Sequence, residues 1–349
     1  MQVQLADIAE ARDIPSAVPA RRGFVRPHTS AAWEQAYLPG NGWRGPLAVV
    51  RAPGAELAFA RKRAGKLDLY ALGGYYWPWR GVAVEAGAGE QALAGLADEL
   101  TRRPCGAVLR MGPLIDGDTD TQRFLTLLRA RGWRGLQQES GEVFELALPA
   151  SMEALQAQVS GSLWKNIAYQ RRRLDKQAAV TTERHRLSVE QAAPLLQRAA
   201  LVEQASWVAQ QGGEVKLVGA QNQSYWSQLA QHEGDGPEVV LWLLSSGERD
   251  IAYSLHLEYG QTMCIVANGY DEAYKASSPG SLLSLDIFRD AIGRGLRLVD
   301  WGQGDSGYKQ RWGAQPGARM MDLLLFRPGL VGAIGYRILK TALSGWTPL

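Results

Sequence analysis

Strand-sized apolar segments alternate with helix-sized segments along the chain, and this alternation constrains the fold more than any other feature. In the second half, strand candidates follow one another at 238–244, 250–259 and 261–268. A helix candidate at 281–294 then leads to a further strand at 296–301. Strands and helices in this order predict an α/β fold with mixed central sheets flanked by helices.

The length of the chain indicates more than one domain. Of its 349 residues, 46% are apolar, and one hydrophobic core seldom serves so long a chain. A strand candidate at 142–148 closes the first half at Pro149. We therefore predict domains at 1–150 and 151–327, followed by an amphipathic tail at 328–349.

Charge and cysteine content exclude several classes of protein. The 38 Lys and Arg exceed the 35 Asp and Glu by only three, which does not by itself indicate a nucleic-acid-binding protein. Cys105 and Cys264 have no histidines at metal-ligand spacing, so we expect neither a disulfide framework nor a metal site. Without a secretory signal or an apolar run of about 18 residues, the expected location is cytoplasmic, peripheral to a membrane at most.

A long basic helix is predicted to open the second domain. It begins near Ser151, and apolar residues keep mostly helical spacing as far as Leu174. Its other sides carry Lys165, Arg171 to Arg173, and Lys176. Such a charge run is either a solvated face or an anion-binding surface, and the sequence leaves both readings open.

The motif Ser278-Pro279-Gly280-Ser281 lies where a strand and loop lead into a helix. Free backbone N–H groups and the positive end of the helix dipole form an anion site at a helix N-terminus. Proline suits the first helical turn, and glycine lets a phosphate come close. The motif predicts either a phosphate site, which Lys275 would also reach, or an ordinary capped helix.

A glycine-rich loop from Asp300 to Lys309 follows the next strand and carries acid, hydroxyl and ammonium groups. Tyr308 can protonate a departing thiolate, because the reference pKa of a phenol, about 10, exceeds that of a typical thiol. Asp305 or Asp300 can orient an attacking amine or accept its proton. Alternatively, Asp305 and Tyr308 only brace a tight turn.

His256, in a strand candidate, either faces the acceptor or is a packing residue.

The order of these motifs resembles that of the CelD-type (BcsL-like) acyltransferases over about 143–327. The motifs that carry the resemblance are Ser-Pro-Gly at 278–280, Gly-x-Gly-Asp-x-x-Tyr-Lys-x-x-Trp at 302–312, the segments 144–149, 164–167 and 171–174, and Glu203-x-x-Ser206-Trp207. The first half resembles the family only in its pattern of elements.

The resemblance implies a relationship to the FemABX-type transferases and hence an α/β fold with two GNAT-like domains. In such a fold, splayed central strands hold the thioester and the next helix N-terminus takes the pyrophosphate. A tyrosine after the following strand is the usual acid, which corresponds to Tyr308. The common GNAT pyrophosphate signature is absent before Ser281. Acyl-CoA is implied as a co-substrate, and no cofactor is implied beyond it.

Together these arguments define a candidate site. The candidate catalytic residues are Asp300, Asp305, Tyr308, Lys309 and His256. The candidate donor-binding residues are Val266, Asn268, Lys275, Ser278, Gly280 and Ser281. Backbone N–H groups at 266–268 are expected to polarise the thioester carbonyl.

The predicted function is acyl transfer from acyl-CoA or another thioester to an amine or hydroxyl. The acceptors that remain open include a sugar of an exopolysaccharide, an amino sugar and a long-chain amine. One alternative is a FemABX-type transferase that takes an aminoacyl group from tRNA, which the basic helix would contact. The other is a catalytically inactive GNAT-like binding module.

The tail combines apolar and basic residues at helical spacing. Its apolar residues are Leu330, Val331, Ile334, Ile338, Leu339, Leu343 and Trp346, and its polar side carries Arg337, Lys340, Thr341 and Ser344. A helix of this kind either lies on an anionic membrane surface or docks on the protein body.

Overall fold

A computed structural model describes residues 43–64, 67–72, 81–84, 88–102, 106–213, 215–230, 237–304 and 307–349. Asp305 and Cys105 lie outside the described residues. The chain divides into two compact units, a first unit of 1–141 with 318–349 and a second unit of 142–317. The domain boundaries predicted from the sequence stay predictions.

The elements are numbered here in chain order. The strands are β1 (Trp43–Ala52), β2 (Ala55–Ala64), β3 (Leu67–Leu72), β4 (Ala83–Val84), β5 (Val108–Ile115), β6 (Arg134–Ala147), β7 (Val180–Arg186), β8 (Glu238–Ser246), β9 (Arg249–Tyr259), β10 (Thr262–Tyr270), β11 (Leu298–Gln303), β12 (Gln315–Phe326) and β13 (Thr347–Pro348). The helices are α1 (Gly89–Arg102), α2 (Thr119–Ala130), α3 (Met152–Gln158), α4 (Gly161–Asp175), α5 (Val189–Gln204), α6 (Trp207–Gln210), α7 (Ala220–Ala230), α8 (Pro279–Gly293), α9 (Tyr308–Arg311) and α10 (Leu330–Ala342), with a 3-10 helix at Glu272–Ser277.

The first unit is built on a mixed sheet in the strand order β1-β2-β3-β5-β12. β3 and β5 run parallel, whereas β1 with β2, β2 with β3, and β5 with β12 are antiparallel. Apolar side chains of α1 and α2 pack on this sheet, among them Leu96 and Phe124, which have no exposed surface. Leu323 and Leu325 of β12 lie in the same core, so residues near the end of the chain complete this unit.

The second unit carries its sheet in the order β6-β11-β10-β9-β8-β7. All neighbouring strands here are antiparallel except β10 and β11, which run parallel and are joined through α8. A parallel pair needs such a crossover, because the chain must return to the end of the sheet at which the first strand began. Phe288 of α8 packs edge-on against both Trp301 of β11 and Trp312, with ring centroids 5.4 and 5.0 Å apart, and this places α8 over the parallel pair.

The predicted long basic helix is instead two helices, α3 and α4, so that prediction was wrong. The backbone is extended at Val159, and the Ser160 side chain accepts a hydrogen bond from the Leu163 N–H at 3.4 Å. Ser160 is therefore the N-cap of a new helix. Serine often adopts this role because its hydroxyl replaces the partner that the first helical N–H groups lack.

The C-terminal tail forms α10 and β13, which belong to the first unit. Leu339, Leu343 and Trp346 pack against a small core that includes Tyr336. β13 pairs with β6 through Thr347 and Gln137. In the part of the chain that the structure describes, no helix has the length and apolar character needed to cross a membrane.

Candidate active site

The candidate site lies where the parallel strands β10 and β11 part. Their register runs from Thr262 opposite Leu298 to Cys264 opposite Asp300, and no later residues of these two described strands pair with each other. Each strand is also irregular at this point. The register of β10 against β9 shifts between Ile265 and Ala267, which leaves Val266 outside the regular pairing. Such a bulge redirects backbone groups away from the ladder, and here it does so at the opening between the strands.

The N-terminus of α8 follows β10 through the 3-10 helix. Ser278 is the N-cap and adopts a left-handed conformation with φ 51°, and Pro279 occupies the first helical turn. No acidic residue lies in that turn. A Cβ added at Gly280 would lie 3.5 Å from the ring of Tyr270, at ordinary van der Waals distance. The N–H groups of Ser278 and Ser281 donate to the carbonyls of Lys275 and Ser278, both at 3.0 Å. The helix dipole and the lack of an acid suit an anion, and the donor-binding roles of Ser278, Gly280 and Ser281 stay predictions.

Tyr308 is the first residue of α9 and follows Gly307, whose φ of 88° favours glycine. Its ring packs edge-on against Trp301, with centroids 5.7 Å apart. Its hydroxyl accepts a hydrogen bond from the Asn268 side-chain amide at 3.4 Å. The fold thus brings together a predicted acid from the loop after β11 and a predicted donor-binding residue from the end of β10.

Asp300 and Lys309 are buried and shape the glycine-rich loop between them. Asp300 accepts a hydrogen bond from the Gly302 N–H at 2.9 Å. The Lys309 ammonium donates to the backbone carbonyls of Gly302 at 3.0 Å and Gln303 at 3.3 Å, and also to that of Gly304. Both side chains hold the loop that leads to Tyr308, and their direct catalytic roles stay predictions.

Asp305 and Lys275 are two further candidate residues predicted from the sequence. Asp305 lies outside the described residues, so its role stays a prediction. Lys275 is exposed, and its ammonium lies 3.3 Å from the Glu272 carboxylate in the 3-10 helix that leads to α8. This ion pair leaves Lys275 at the solvent-facing side of the segment, where a role in donor binding stays a prediction.

His256 is fully buried in β9. Its Nε2 lies 2.7 Å from the Ser254 hydroxyl. Burial, with the positive charges of Arg184 and Arg294, lowers the pKa of His256 to about 3, so the ring is neutral at physiological pH. A residue without exposed surface does not contact an acceptor directly in this conformation. These surroundings favour the packing role, and the catalytic role of His256 stays a prediction.

Glu203 is a residue whose role the sequence did not reveal. Its buried carboxylate accepts hydrogen bonds from the backbone N–H groups of Lys216, Leu217 and Val218 at 2.6 to 2.9 Å, and from the Tyr253 hydroxyl at 2.7 Å. A Cβ added at Gly269 would lie 2.9 Å from the Tyr253 ring, so only glycine fits there without a shift. Glu203 therefore supports the end of β10 through Tyr253. The signal in the sequence was an acid at the end of an otherwise apolar helix face.

Tyr270 is a second phenol that the sequence analysis left without a role. It ends β10 and packs on Gly280. Burial, reinforced by the Glu272 carboxylate, raises the pKa of Tyr270. The residue consequently stays protonated and offers an apolar ring beside the N-terminus of α8.

Residues 161–310 match the family described as acetyltransferase (GNAT) domain. This region begins with α4 and ends within α9, and it contains every candidate site residue named above. The second half of the chain is therefore similar in sequence to GNAT acetyltransferase domains.

Solved structures extend the likeness to most of the chain. The fold is similar to that of FemX, with a TM-score of 0.57, 12% identity, and coverage of 93% of this chain and 97% of FemX. The fold is also similar to that of L-PGS from Bacillus licheniformis, with a TM-score of 0.55, 13% identity, and coverage of 95% of this chain and 97% of L-PGS. The C-terminal domain of a putative lysylphosphatidylglycerol synthetase from Agrobacterium fabrum is similar with a TM-score of 0.51 and 12% identity. The match covers 86% of this chain and 90% of that domain.

At these identities the likeness concerns the fold alone. The predicted fold class, α/β with GNAT-like domains and mixed sheets flanked by helices, is confirmed. No curated protein matches the chain in sequence. The narrower resemblance to the CelD-type acyltransferases stays an interpretation.

Proposed function

We propose that the second unit transfers an acyl group from acyl-CoA, or another thioester, to an amine or hydroxyl acceptor, as in the CelD-type acyltransferases. The GNAT domain match supports a transferase of acyl or aminoacyl groups. The finer statement rests on the geometry at the ends of β10 and β11. The acceptors in view are a sugar of an exopolysaccharide, an amino sugar and a long-chain amine.

One observation carries the proposal. The Tyr308 hydroxyl lies 3.4 Å from the side-chain amide nitrogen of Asn268, at the opening between two diverging parallel strands. An opening of this kind admits an extended thioester arm. Tyr308 lies at its rim, where a thiolate would leave. The N-terminus of α8 follows the same strand and supplies an anion site for the donor's pyrophosphate.

The chemical steps assign one task to each group. The acceptor nitrogen or oxygen attacks the thioester carbonyl carbon, and the backbone N–H at the Val266 bulge stabilises the oxygen as it gains negative charge. The carbon–sulfur bond then breaks, and the Tyr308 hydroxyl gives its proton to the departing thiolate. Asp305 takes the proton that the acceptor loses. Holding both reactants in contact supplies a further part of the rate enhancement.

Titration calorimetry tests the donor half of this proposal. Coenzyme A and an acyl-CoA are each titrated into the whole protein, and both are expected to bind. Replacing Gly280 by Val, which crowds Tyr270 and the backbone at the helix N-terminus, is expected to weaken that binding. The absence of any heat change with coenzyme A and with acyl-CoAs of several chain lengths would reject the donor.

The acceptor half is tested at Asp305. Asp305→Asn is expected to lower turnover more than donor affinity, because the carboxylate is assigned to the acceptor. Loss of donor binding with unchanged turnover of bound donor would place Asp305 on the donor side. Turnover of any acyl donor by the wild-type protein would exclude the inactive binding module.

An aminoacyl-tRNA donor is the second candidate, and one face of α4 favours it. Lys165, Tyr169, Arg172 and Lys176 recur at the spacing of one helix face, and all four are exposed. Tyr169 is 57% exposed, so an aromatic ring stands among these cations. Such a surface suits a phosphate backbone.

A salt titration separates the two donors. tRNA binding should weaken steeply as salt increases if these cations contact phosphates, because each contact releases counterions. Coenzyme A binding at the N-terminus of α8 should respond much less. Tight, salt-dependent tRNA binding without a response to coenzyme A would replace the first candidate by the second.

The cytoplasmic location, peripheral on the inner face of a membrane, is also a proposal. It is supported by the exposed apolar and basic residues of the C-terminal helix α10.

A further inference from the structure

The helix α10 has two separate apolar faces. Tyr336 and Leu339 on one face pack on the first unit. The opposite face carries Leu330, Val331, Ile334 and Ile338, which are 78%, 68%, 48% and 57% exposed. Docking on the protein body therefore explains one face and leaves the other uncovered. We call these four exposed side chains the ridge.

The ridge is unusual within the described surface. Large apolar side chains are exposed at only a few other positions, namely Tyr169, Val189, Leu201 and Trp207. The four ridge residues follow the spacing i, i+1, i+4, i+8 and so form one continuous stripe along the helix. A continuous exposed apolar stripe indicates a surface that binds something.

The charge around the ridge indicates what it binds. Beyond Asp322 the chain holds three basic residues, Arg327, Arg337 and Lys340, and no acidic residue. The remaining residues carry 35 basic and 35 acidic groups, so the whole excess of positive charge lies in this last segment. Arg134 and Lys340 lie on the opposite side of the helix, because their charged groups stand 5.6 and 6.0 Å from the centre of the Tyr336 ring. Arg337 is therefore the cation of α10 that lies beside the ridge.

We propose that the ridge and the neighbouring cation Arg337 dock the first unit on the surface of an anionic membrane. The ridge side chains enter the boundary between headgroups and acyl chains, while Arg337 contacts lipid phosphates. α10 is already folded and held by Tyr336, so docking requires no folding step. This inference does not depend on the proposed acyl transfer.

A second copy of the chain is a less suitable occupant. The 13 residues of α10 span only about 20 Å, which is short for a stable interface of roughly 800 Å² per partner. A symmetric dimer would also bring the Arg337 beside each ridge close to its own copy. Both arguments favour a lipid surface, which supplies negative charge and apolar depth together.

Vesicle flotation of the full-length protein tests the docking. At low salt, the wild type should float with phosphatidylglycerol vesicles and much less with phosphatidylcholine vesicles. Ile334→Asn with Ile338→Asn should lower the partition coefficient at least about tenfold, because two aliphatic side chains no longer enter the lipid. Arg337→Gln should lower it about fivefold on phosphatidylglycerol only.

Matched controls separate docking from general damage. Val189→Asn, at a position 59% exposed on α5, makes the same change outside the ridge and should bind vesicles like the wild type. Thermal unfolding and coenzyme A titration should be unchanged in every variant. If the double isoleucine variant fails to fold, Val331→Asn alone gives the same test at a position 68% exposed.

Two results would overturn the proposal. One is a folded wild type that does not float with phosphatidylglycerol vesicles, or floats equally well after the ridge substitutions. The other is a dimer in sedimentation velocity without vesicles that the ridge substitutions abolish, which would assign the ridge to a second copy.

Discussion

In the residues that the structure describes, α1 lies between the parallel strands β3 and β5 in the chain of the first unit, and α8 lies between the parallel strands β10 and β11 in that of the second. The two segments differ at the helix N-terminus. The first turn of α1 contains Glu90, whereas the first turn of α8 contains no acid. A carboxylate there satisfies the helix dipole itself and repels a bound anion. Only the second segment therefore has a helix N-terminus whose charge suits an anion, and its role as an anion site stays a prediction.

The parallel strands of the two units also differ in what their charged side chains contact. In the first unit Arg110 of β5 pairs with Asp322 of β12, with Nε 2.9 Å from a carboxylate oxygen. In the second unit Asp300 of β11 instead holds the glycine-rich loop that leads to Tyr308. The fold thus supplies the scaffold, while the residues that follow each strand decide whether a site can form.

The largest expected effect is at Tyr308. Tyr308→Phe should keep the fold and lower kcat at least about a hundredfold, within the range typical of a lost general acid. The same change at the exposed Tyr169 on α4 is the control and should leave kcat unchanged. Steady-state rates with an acyl-CoA donor measure both. A wild-type kcat in the Tyr308→Phe variant would show that Tyr308 is not the general acid.

Transferring the acid of α1 to α8 is expected to have the next largest effect. Ser281→Asp places a carboxylate in the first turn of α8 and should weaken coenzyme A binding about tenfold. The helix itself should become no less stable, because the carboxylate complements the dipole. Glu90→Gln should leave coenzyme A affinity as it is. Wild-type affinity in Ser281→Asp would move the donor site away from this helix.

A third test compares the buried ammonium of the second unit with the ion pair of the first. Lys309→Met leaves three backbone carbonyls without their donor and should lower the free energy of unfolding by about 1–3 kcal/mol. It should also lower kcat, because the loop before Tyr308 loosens. Arg110→Met should lower stability as well, yet leave kcat of the folded protein unchanged. Denaturant unfolding and rate measurements on both variants decide between these outcomes.

The smallest expected effect concerns pH. The pKa of His256 is about 3 in the folded protein, below the unfolded value of about 6.5, so its stabilising contribution is present above pH 6.5 and decreases as pH falls towards 3. The slope is up to about 1.4 kcal/mol per pH unit.

His256→Gln should therefore lose less stability than the wild type between pH 7 and pH 5, by up to about 2 kcal/mol. Its kcat should stay within about threefold of the wild type if the residue only packs, since surface-inaccessible groups do not reach the acceptor. A stable variant with a much lower kcat would restore His256 to the catalytic residues.

Local signals in the sequence were sufficient for the elements that carry the site. Proline at 279 after serine correctly indicated the start of a helix, which the structure places at Pro279. The strand at 296–301 and the glycine-rich loop after it were also predicted, because apolar runs and glycine mark strand and loop without long-range information.

The remaining features depend on contacts between residues far apart in sequence. Alternation within β9 cannot tell which of its faces another element covers, so the burial of His256 was not evident. A lysine after a glycine-rich loop reads as a reactive group, and only the folded loop turns three carbonyls towards Lys309. Periodicity in the tail merged two apolar faces into one, because hydrophobic spacing does not distinguish a face packed on protein from an exposed one.

The position of β12 bears on how the chain is synthesised. The first unit takes most of its residues from the start of the chain, yet Leu323 and Leu325 of its core leave the ribosome only after the whole second unit. At about 5–20 residues per second, this delay lasts at least several seconds. During it, the edge of β5 that β12 will cover stays open to pairing with other chains. A nascent chain of this protein is therefore expected to rely on chaperones, and its first 150 residues expressed alone to aggregate.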